Sequence, residues 1–235
     1  MDVELLENMH TYNNHEFPNW LDIQTMIPST YTSADLGDFA QSHEATKSKV
    51  TFADYHYSIL DQLYKPTMTF RQTDTDSWAR CEMHSIVFNL YSALDSLGYE
   101  INLAYQFNLK PHEIHIYHNH TVFERNCLRC NLNVKNDSLC TLLNAELSKL
   151  WFETFHKLRN QIVHKNLPVI QVFVGGAATI IKIPDDPTNT DPQAGGYSQN
   201  LEINQYCKTV RNAVLNLIES VYPFIKQSIR TRYSI

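Results

Sequence analysis

Apolar residues recur at intervals of three and four along four stretches of the chain, which is the spacing of one face of an α-helix. These stretches are residues 33–65, 77–107, 138–164 and 201–228. Charged and amide side chains occupy most positions between the apolar ones, so each stretch has one face to bury against a partner. The pattern predicts an all-α fold, a bundle of four to five helices.

Helix-breaking and turn-forming residues set the predicted ends of these helices. Pro66 ends the first helix, because proline lacks the N–H group that a helix interior needs. Residues 73–76 predict a polar turn before the second helix, in which Gly98 weakens the helix by roughly 1 kcal/mol relative to alanine. Residues 108–137 lack a clear period, and we interpret them as a short helix or an irregular crossover.

A different pattern follows the third helix. Two β-branched runs flank Gly175-Gly176, which predicts a two-stranded β-hairpin over residues 169–183. Residues 1–32 show little periodicity and predict an irregular N-terminal arm. The rest, 33–235, then forms a single helical domain with the hairpin and a Pro-, Asp- and Asn-rich loop inserted at 168–198.

Composition favours a soluble cytoplasmic protein. The 235 residues are 43% hydrophobic, enough for a sizeable core, and no run approaches the roughly 20 apolar residues of a membrane helix. The first residues do not resemble a secretory signal, and five cysteines predict reduced thiols rather than a disulfide framework. A net charge of −6 argues against binding nucleic acid through bulk electrostatics. A local basic patch is still available from Lys157, Arg159, Lys165, Lys226, Arg230 and Arg232.

Polar side chains gather beside the apolar face of the helix predicted over 138–164. At about 100° per residue the apolar residues form one arc. They are Leu147, Trp151, Phe155, Leu158 and Ile162, with Phe152 and Val163 at the edge. His156, Asn160 and His164 are four residues apart and form a stripe beside this arc, and Arg159 lies between the two. These side chains are therefore candidates for a functional site at the rim of a buried surface.

The sequence Arg159-Asn160-x-x-x-His164 resembles the signature of the HEPN superfamily, in which an arginine and a histidine are separated by four to six residues. The resemblance covers residues 33–167 and the last helix. It implies a helical, metal-independent endoribonuclease without a cofactor, in which two protomers bring their motif helices together at one composite cleft. RNA and a second copy of the chain are then the expected partners, in a toxin–antitoxin, defence or RNA-processing setting.

Each motif residue has a chemical role in this interpretation. Arg159 would hold the phosphate and stabilise the negative charge of the transition state. His164 would move the proton of the ribose 2′-hydroxyl or of the leaving 5′-oxygen, since an imidazole titrates near about pH 6.5. Asn160 would orient the histidine or the phosphate. RNA supplies its own nucleophile, so the resemblance implies products with a 2′,3′-cyclic phosphate and a 5′-hydroxyl.

Other residues are candidates for supporting roles. His156 shares the polar stripe, and it either lines the same cleft or is an ordinary surface or interface histidine. Glu82 and Asp95, on the preceding helix, are candidates for an acidic partner of the motif arginine or histidine. Lys157 and Lys165 are candidates for contacts with nucleic acid.

Two other interpretations of the motif stay open. Cationic residues complement the dipole at the C-terminal end of any helix, so the helix can be an ordinary amphipathic one. The chain can also be a non-catalytic HEPN-like module that binds RNA or nucleotides or assembles with proteins. The resemblance includes an antitoxin or nucleotidyltransferase partner, but Asn166 stands where many such toxins have the tyrosine that is modified. This departure argues against regulation of that type.

A second cluster of chemically active residues lies between positions 112 and 130. Its members are His112, His115, His118, His120, Cys127 and Cys130. Cys127-x-x-Cys130 with His118-x-His120 could supply four zinc ligands, but zinc fingers usually place their histidines after the cysteines. We therefore predict surface histidines and buried thiols, without a metal. The chain contains neither G-x-S-x-G nor a P-loop sequence, so serine-hydrolase and P-loop chemistry have no support.

Overall fold

The fold is predominantly α-helical, as the apolar spacing predicts. The structure, a computed structural model, describes residues 23, 25–26, 34–63, 72–117, 127–135, 138–164, 171–175, 178–183 and 202–233. The helices are α1 Ala34–Leu63, α2 Gln72–Tyr105, α3 Leu128–Val134, α4 Ser138–Leu147, α5 Leu150–His164 and α6 Ile203–Tyr233. A 3-10 turn spans Pro111–Glu113, and the strands β1 Gln171–Gly175 and β2 Ala178–Lys182 precede α6. No described helix is both long and apolar enough to cross a membrane.

The described residues divide into two compact units. Unit 1 takes its residues from Met1–Thr51, Ser92–Ser148 and Val214–Ile235. Unit 2 takes its residues from Phe52–Tyr91 and Lys149–Ala213. Three of the four boundaries between the units therefore fall inside α1, α2 and α6, and the fourth falls between α4 and α5. Of the predicted irregular N-terminal arm, only residues 23, 25 and 26 are described, and they are helical; the rest of the arm stays a prediction.

α2 begins and ends earlier than predicted. Residues 73–76 belong to its first turn, so the prediction of a polar turn there is wrong. Threonine and aspartate suit a helix start, because they accept bonds from exposed N–H groups and complement the dipole. At the other end, Phe107 N donates to Asn102 O at 3.2 Å and Gln106 N to Leu103 O at 3.3 Å. Gln106 has a φ of 55°, the left-handed conformation that glycine usually provides in this type of helix ending.

Gly98 allows two segments of unit 1 to approach each other closely. A Cβ atom at this position of α2 would lie 2.8 Å from Ile114 O, 3.2 Å from Ile114 Cγ2 and 3.4 Å from Ile116 Cγ2. Ile114 and Ile116 follow the 3-10 turn, and both are buried. The glycine that lowers the helix propensity of α2 is therefore needed for this backbone to pack on the helix.

The helix predicted over 138–164 is in fact two helices, α4 and α5, so the prediction of one continuous helix is wrong. At the break, Ser148 Oγ donates to Ala145 O at 3.0 Å, and Lys149 O accepts from Phe152 N at 3.0 Å. Serine competes for backbone carbonyls in this way and so favours helix ends. The apolar spacing continues across the break and hides it, which is why Leu147 was wrongly included in the arc of the motif helix.

The hairpin predicted around Gly175-Gly176 corresponds to β1 and β2. These strands pair antiparallel, with Gln171 opposite Lys182 and Gly175 opposite Ala178. Two residues therefore connect them, which is the commonest length for a hairpin turn. An isolated bridge from Lys182 to Glu202 joins the hairpin to the residue before α6. The hairpin lies within unit 2.

The ambiguous segment 108–137 contains the 3-10 turn and the short helix α3. Cys127 and Cys130 form a disulfide at the start of α3, with their Cα atoms 5.2 Å apart. The prediction of reduced thiols is therefore wrong for this pair, because one helical turn brings residues three apart to the same side. Cys81, Cys140 and Cys207 are free, and burial raises the pKa of the Cys207 thiol well above its ordinary value.

Candidate active site

The motif helix α5 buries one face in unit 2. Phe155 and Leu158 of the predicted arc are buried, whereas Trp151 and Ile162 are only half-buried. Phe152, predicted at the edge of the arc, is buried, and so is Gln161. Val163, at the predicted edge of the arc, is 42% exposed. The helical period therefore locates the buried side of α5, but it does not identify which residues of that side are fully buried. Arg159, Asn160 and His156 are half-buried at its border.

The polar stripe begins with a side-chain hydrogen bond. Asn160 Nδ2 donates to His156 Nε2 at 2.9 Å, a contact that a separation of four residues allows on a helix. His164, the last residue of α5, occupies the next position of the stripe, and its side chain lies outside the described part of the structure. Lys165 also lies outside the described residues.

Arg159 is held by two different contacts. Its Nη1 donates to Asn160 Oδ1 at 3.0 Å, and its guanidinium carbon lies 4.6 Å from the centroid of the Tyr91 ring. The flat guanidinium stacks well on an aromatic face, where the ring quadrupole attracts its charge. Tyr91 comes from α2 and is 2% exposed, so the arginine rests on a rigid part of the core of unit 2.

Tyr91 also closes the arrangement into a ring of four side chains. Its hydroxyl oxygen lies 2.6 Å from His156 Nδ1. Tyr91, His156, Asn160 and Arg159 thus contact one another in sequence, and we call these four residues the motif network. Phe155 packs against the Tyr91 ring, with the centroids 5.5 Å apart.

The hydrogen bonds of the motif network fix the proton on His156. Arg159 donates to Asn160 Oδ1, so the amide nitrogen of Asn160 faces His156 and donates to Nε2. The proton of the neutral imidazole is therefore on Nδ1, which donates to the Tyr91 oxygen. Burial lowers the pKa of His156 below its ordinary value, and the nearby charge of Arg159 lowers it further. If the ring were protonated, Nε2 would also carry a hydrogen, and this N–H group would face the N–H group of the Asn160 amide.

The guanidinium of Arg159 keeps most of its donors for a ligand. It has five N–H groups, and one of them donates to Asn160. Arg159 makes no other hydrogen bond to the residues that the structure describes. A guanidinium whose orientation is fixed and whose N–H groups remain available can bind a phosphate through two parallel hydrogen bonds.

The other predicted supporting residues have partners elsewhere. Glu82 Oε2 lies 2.7 Å from His56 Nδ1 in unit 2. Asp95 belongs to unit 1, where its carboxylate lies 2.9 Å from His115 Nδ1. Lys157 is exposed and forms an ion pair of 2.7 Å with the residue one turn before it, Glu153. Within unit 2, Glu82 makes no hydrogen bond to Arg159 in the described structure.

The cysteines and histidines of the rival cluster are used in other ways. Cys127 and Cys130 are bonded to each other, and Asp95 binds His115. His118 and His120 lie outside the described residues. Within the described part of the chain, no three His, Cys, Asp or Glu side chains are placed to hold a metal ion.

Tyr91 is the member of the motif network that sequence reasoning missed. It lies within an apolar stretch of α2 and was assigned only to the helix core. One signal was available, because a buried tyrosine usually finds a hydrogen-bond partner for its hydroxyl. No spacing rule could identify that partner, which lies 65 residues further along the chain.

Comparison with models of known protein families gave no match, and neither did comparison with curated proteins or with solved structures. The motif and its surroundings are therefore the basis for any functional assignment.

Proposed function

We propose that this chain is a HEPN-type, metal-independent endoribonuclease whose active site is completed by a second copy of the chain. The observation that supports this most directly is the placement of Arg159, stacked on Tyr91 and bonded to Asn160 with further N–H groups available. An arginine fixed in this way meets the main requirement of RNA cleavage, which is to bind a phosphate and stabilise the charge that develops on it.

His164 is the proton-transfer group in this proposal. It ends α5 one turn after Asn160, on the stripe to which the guanidinium of Arg159 is bonded. An imidazole can take the proton of the 2′-hydroxyl as that oxygen attacks the adjacent phosphorus, and the 5′-oxygen then leaves with a proton. One histidine from each of two symmetry-related helices would supply both the base and the acid.

His156 has a positioning role rather than a proton-transfer role. Both of its ring nitrogens are engaged, with Tyr91 and with Asn160, and its pKa is lowered, so the neutral form predominates near neutral pH. It joins Tyr91 to Asn160 and so helps to fix the carboxamide that binds Arg159. Exposed Lys157 would then contact the RNA backbone outside the reacting phosphate.

The test is cleavage of a mixed pool of single-stranded and structured RNA in the presence of EDTA. Wild type, Arg159→Ala and His164→Ala are compared with two matched controls, Lys208→Ala for the loss of an exposed cation and His112→Ala for the loss of an exposed histidine. We expect cleavage by wild type and both controls, and a loss of about 100-fold or more in each motif variant. End-group analysis should find 2′,3′-cyclic phosphates.

Folding of each variant is checked by circular dichroism and urea denaturation. Cleavage that survives both motif substitutions, or that disappears with EDTA, would refute the proposal. Failure of well-folded wild type to cleave any RNA of the pool would favour the non-catalytic RNA-binding module instead. Light scattering of wild type tests whether two copies of the chain associate. A monomer at the protein concentration at which RNA is cleaved would refute the composite site.

A further inference from the structure

A cavity of about 620 Å³ lies in unit 1 at the C-terminal end of α2. Its wall contains residues from the end of α2, the residue after α3, the first residue of α4, and residues from the last turns of α6. This volume is typical of a site for a small organic ligand. The motif network, in unit 2, contributes no residue to it.

Two cationic side chains from different parts of the chain line this cavity. Lys135 is the residue that ends α3, and Arg232 lies in the last turn of α6. No aspartate or glutamate is among the described residues of the wall. The hydroxyl groups of Ser138, Ser228 and Thr231 add polar atoms but no charge. The described wall is therefore positively charged and suits an anion.

Part of this positive charge serves the C-terminal end of α2. Arg232 Nη1 donates to Leu103 O at 3.1 Å, and Ser228 Oγ donates to Ala104 O at 2.8 Å. These are carbonyls of the last turn of α2, which lack partners within the helix. Lys135 Nζ lies 3.5 Å from Tyr105 O, a long contact that uses one of its three N–H groups. The lysine therefore retains donors that a ligand can engage.

The start of α4 adds to the same positive field. α4 is ten residues long and begins at Ser138, which lines the cavity. The first N–H groups of a helix have no partner within it and carry the positive end of the helix dipole. Lys135, Arg232 and this helix start thus act on one volume.

Aromatic rings form another part of this region. Tyr105 and Phe107 are stacked with their centroids 5.5 Å apart, and Lys135 Nζ lies 4.8 Å from the Phe107 centroid. Tyr105 and Phe224 line the cavity itself. A planar ring can pack on these faces while an attached anionic group reaches the lysine.

We propose that this cavity binds a phosphate monoester carried on a planar ring, as in an aryl phosphate or a mononucleotide. The phosphate binds Lys135 and the start of α4, with Arg232 contributing charge, and the ring packs on the aromatic wall. A phosphate monoester carries up to two negative charges and three acceptor oxygens, which matches a wall with two cations and several donors.

The experiment is isothermal titration calorimetry of the whole chain with phenyl phosphate and AMP, using inorganic phosphate and phenol as probes of each half of the ligand. Two variants test the wall, Lys135→Gln and Ser138→Glu, and Lys208→Gln is the control for the loss of an exposed lysine in α6. An acidic residue in the first turn stabilises a helix, so Ser138→Glu should fold normally while it repels an anion. Urea denaturation checks this.

We expect saturable binding of phenyl phosphate to wild type and to Lys208→Gln, and at least about tenfold weaker binding to both wall variants, equivalent to about 1.4 kcal/mol. AMP should follow the same pattern if its ring is accepted, and its failure to bind would exclude nucleotides as the source of the ligand. If phenyl phosphate does not saturate the wild type by about 10 mM, the proposal is overturned. A dissociation constant of that size corresponds to about 2.7 kcal/mol of binding free energy. Equal affinity in wild type and both wall variants would also overturn it. Inorganic phosphate binding as tightly as phenyl phosphate would overturn the role of the ring.

Discussion

Tyr91→Phe removes one oxygen atom from the motif network and leaves the aromatic ring in place. The phenol oxygen lies 2.6 Å from His156 Nδ1 and accepts a hydrogen bond from it, whereas the guanidinium of Arg159 lies over the ring face. The substitution therefore separates the hydrogen bond from the stacking contact. Tyr91→Leu removes both and is the matched comparison.

The structure sets the expected magnitudes. A buried donor left without its acceptor costs about 1–3 kcal/mol, and because His156 is only half-buried we expect about 1 kcal/mol for Tyr91→Phe. Tyr91→Leu also loses the cation–π contact, worth about 0.5–1 kcal/mol, and the ring pair with Phe155, worth about 0.5–1.5 kcal/mol. We therefore expect Tyr91→Leu to lower the free energy of unfolding by about 2–4 kcal/mol, including the cavity that it leaves.

The assay is urea denaturation of both variants, repeated in a His156→Leu background. The two residues share a hydrogen bond, so their effects should not be additive, and the cost of Tyr91→Phe should fall by about 1 kcal/mol when His156 is absent. Equal costs for Tyr91→Phe and Tyr91→Leu would refute the stacking contact. An unchanged cost of Tyr91→Phe in the His156→Leu background would refute the hydrogen bond.

Three further predictions concern other parts of the chain. Gly98→Ala gains about 1 kcal/mol of helix propensity but drives a Cβ to 2.8 Å from Ile114 O, so we expect a net loss of up to about 2 kcal/mol in urea denaturation, and a gain would refute the close approach. Asn108 is exposed and has a φ of 54°, so Asn108→Gly relieves a left-handed residue; the free energy of unfolding should rise by up to about 0.5 kcal/mol, and a fall would contradict this. Burial and Arg159 lower the pKa of His156 from 6.5, so the unfolded chain takes up that proton first as the pH falls and stability decreases. His156→Gln should reduce the stability difference between about pH 7.5 and about pH 5.5, and an unchanged difference would count against the lowered pKa.

Features that depend on neighbours along one helix could be predicted from the sequence. The burial of Phe155 and Leu158 and the contact between His156 and Asn160 follow from 3.6 residues per turn. The break between α4 and α5 could not be seen in the same way, because Leu147 keeps the apolar spacing on the other side of it. Periodicity reports which face is buried, but it does not report whether the backbone is continuous.

Features that join distant parts of the chain were missed for a different reason. Tyr91 contacts His156 across 65 positions, and an apolar stretch of α2 offers no sign of which buried ring will meet the motif helix. The need for Gly98 likewise depends on the backbone at Ile114, which the helix pattern does not contain. Glycine looked like a weak point because only its helix propensity was visible in the sequence.

The proposed ribonuclease gives Asn160 a more specific task than the motif alone implies. Arg159 and His164 are five residues apart, so on a regular helix their Cβ atoms point about 140° away from each other. A phosphate beside one side chain would then be far from the other. Asn160 is separated from His164 by only about 40° around the helix, and it bonds the guanidinium at 3.0 Å while Tyr91 supports it from one face. In the proposed ribonuclease the asparagine would therefore orient the arginine toward the stripe that ends in His164, so that both groups can act on one phosphate.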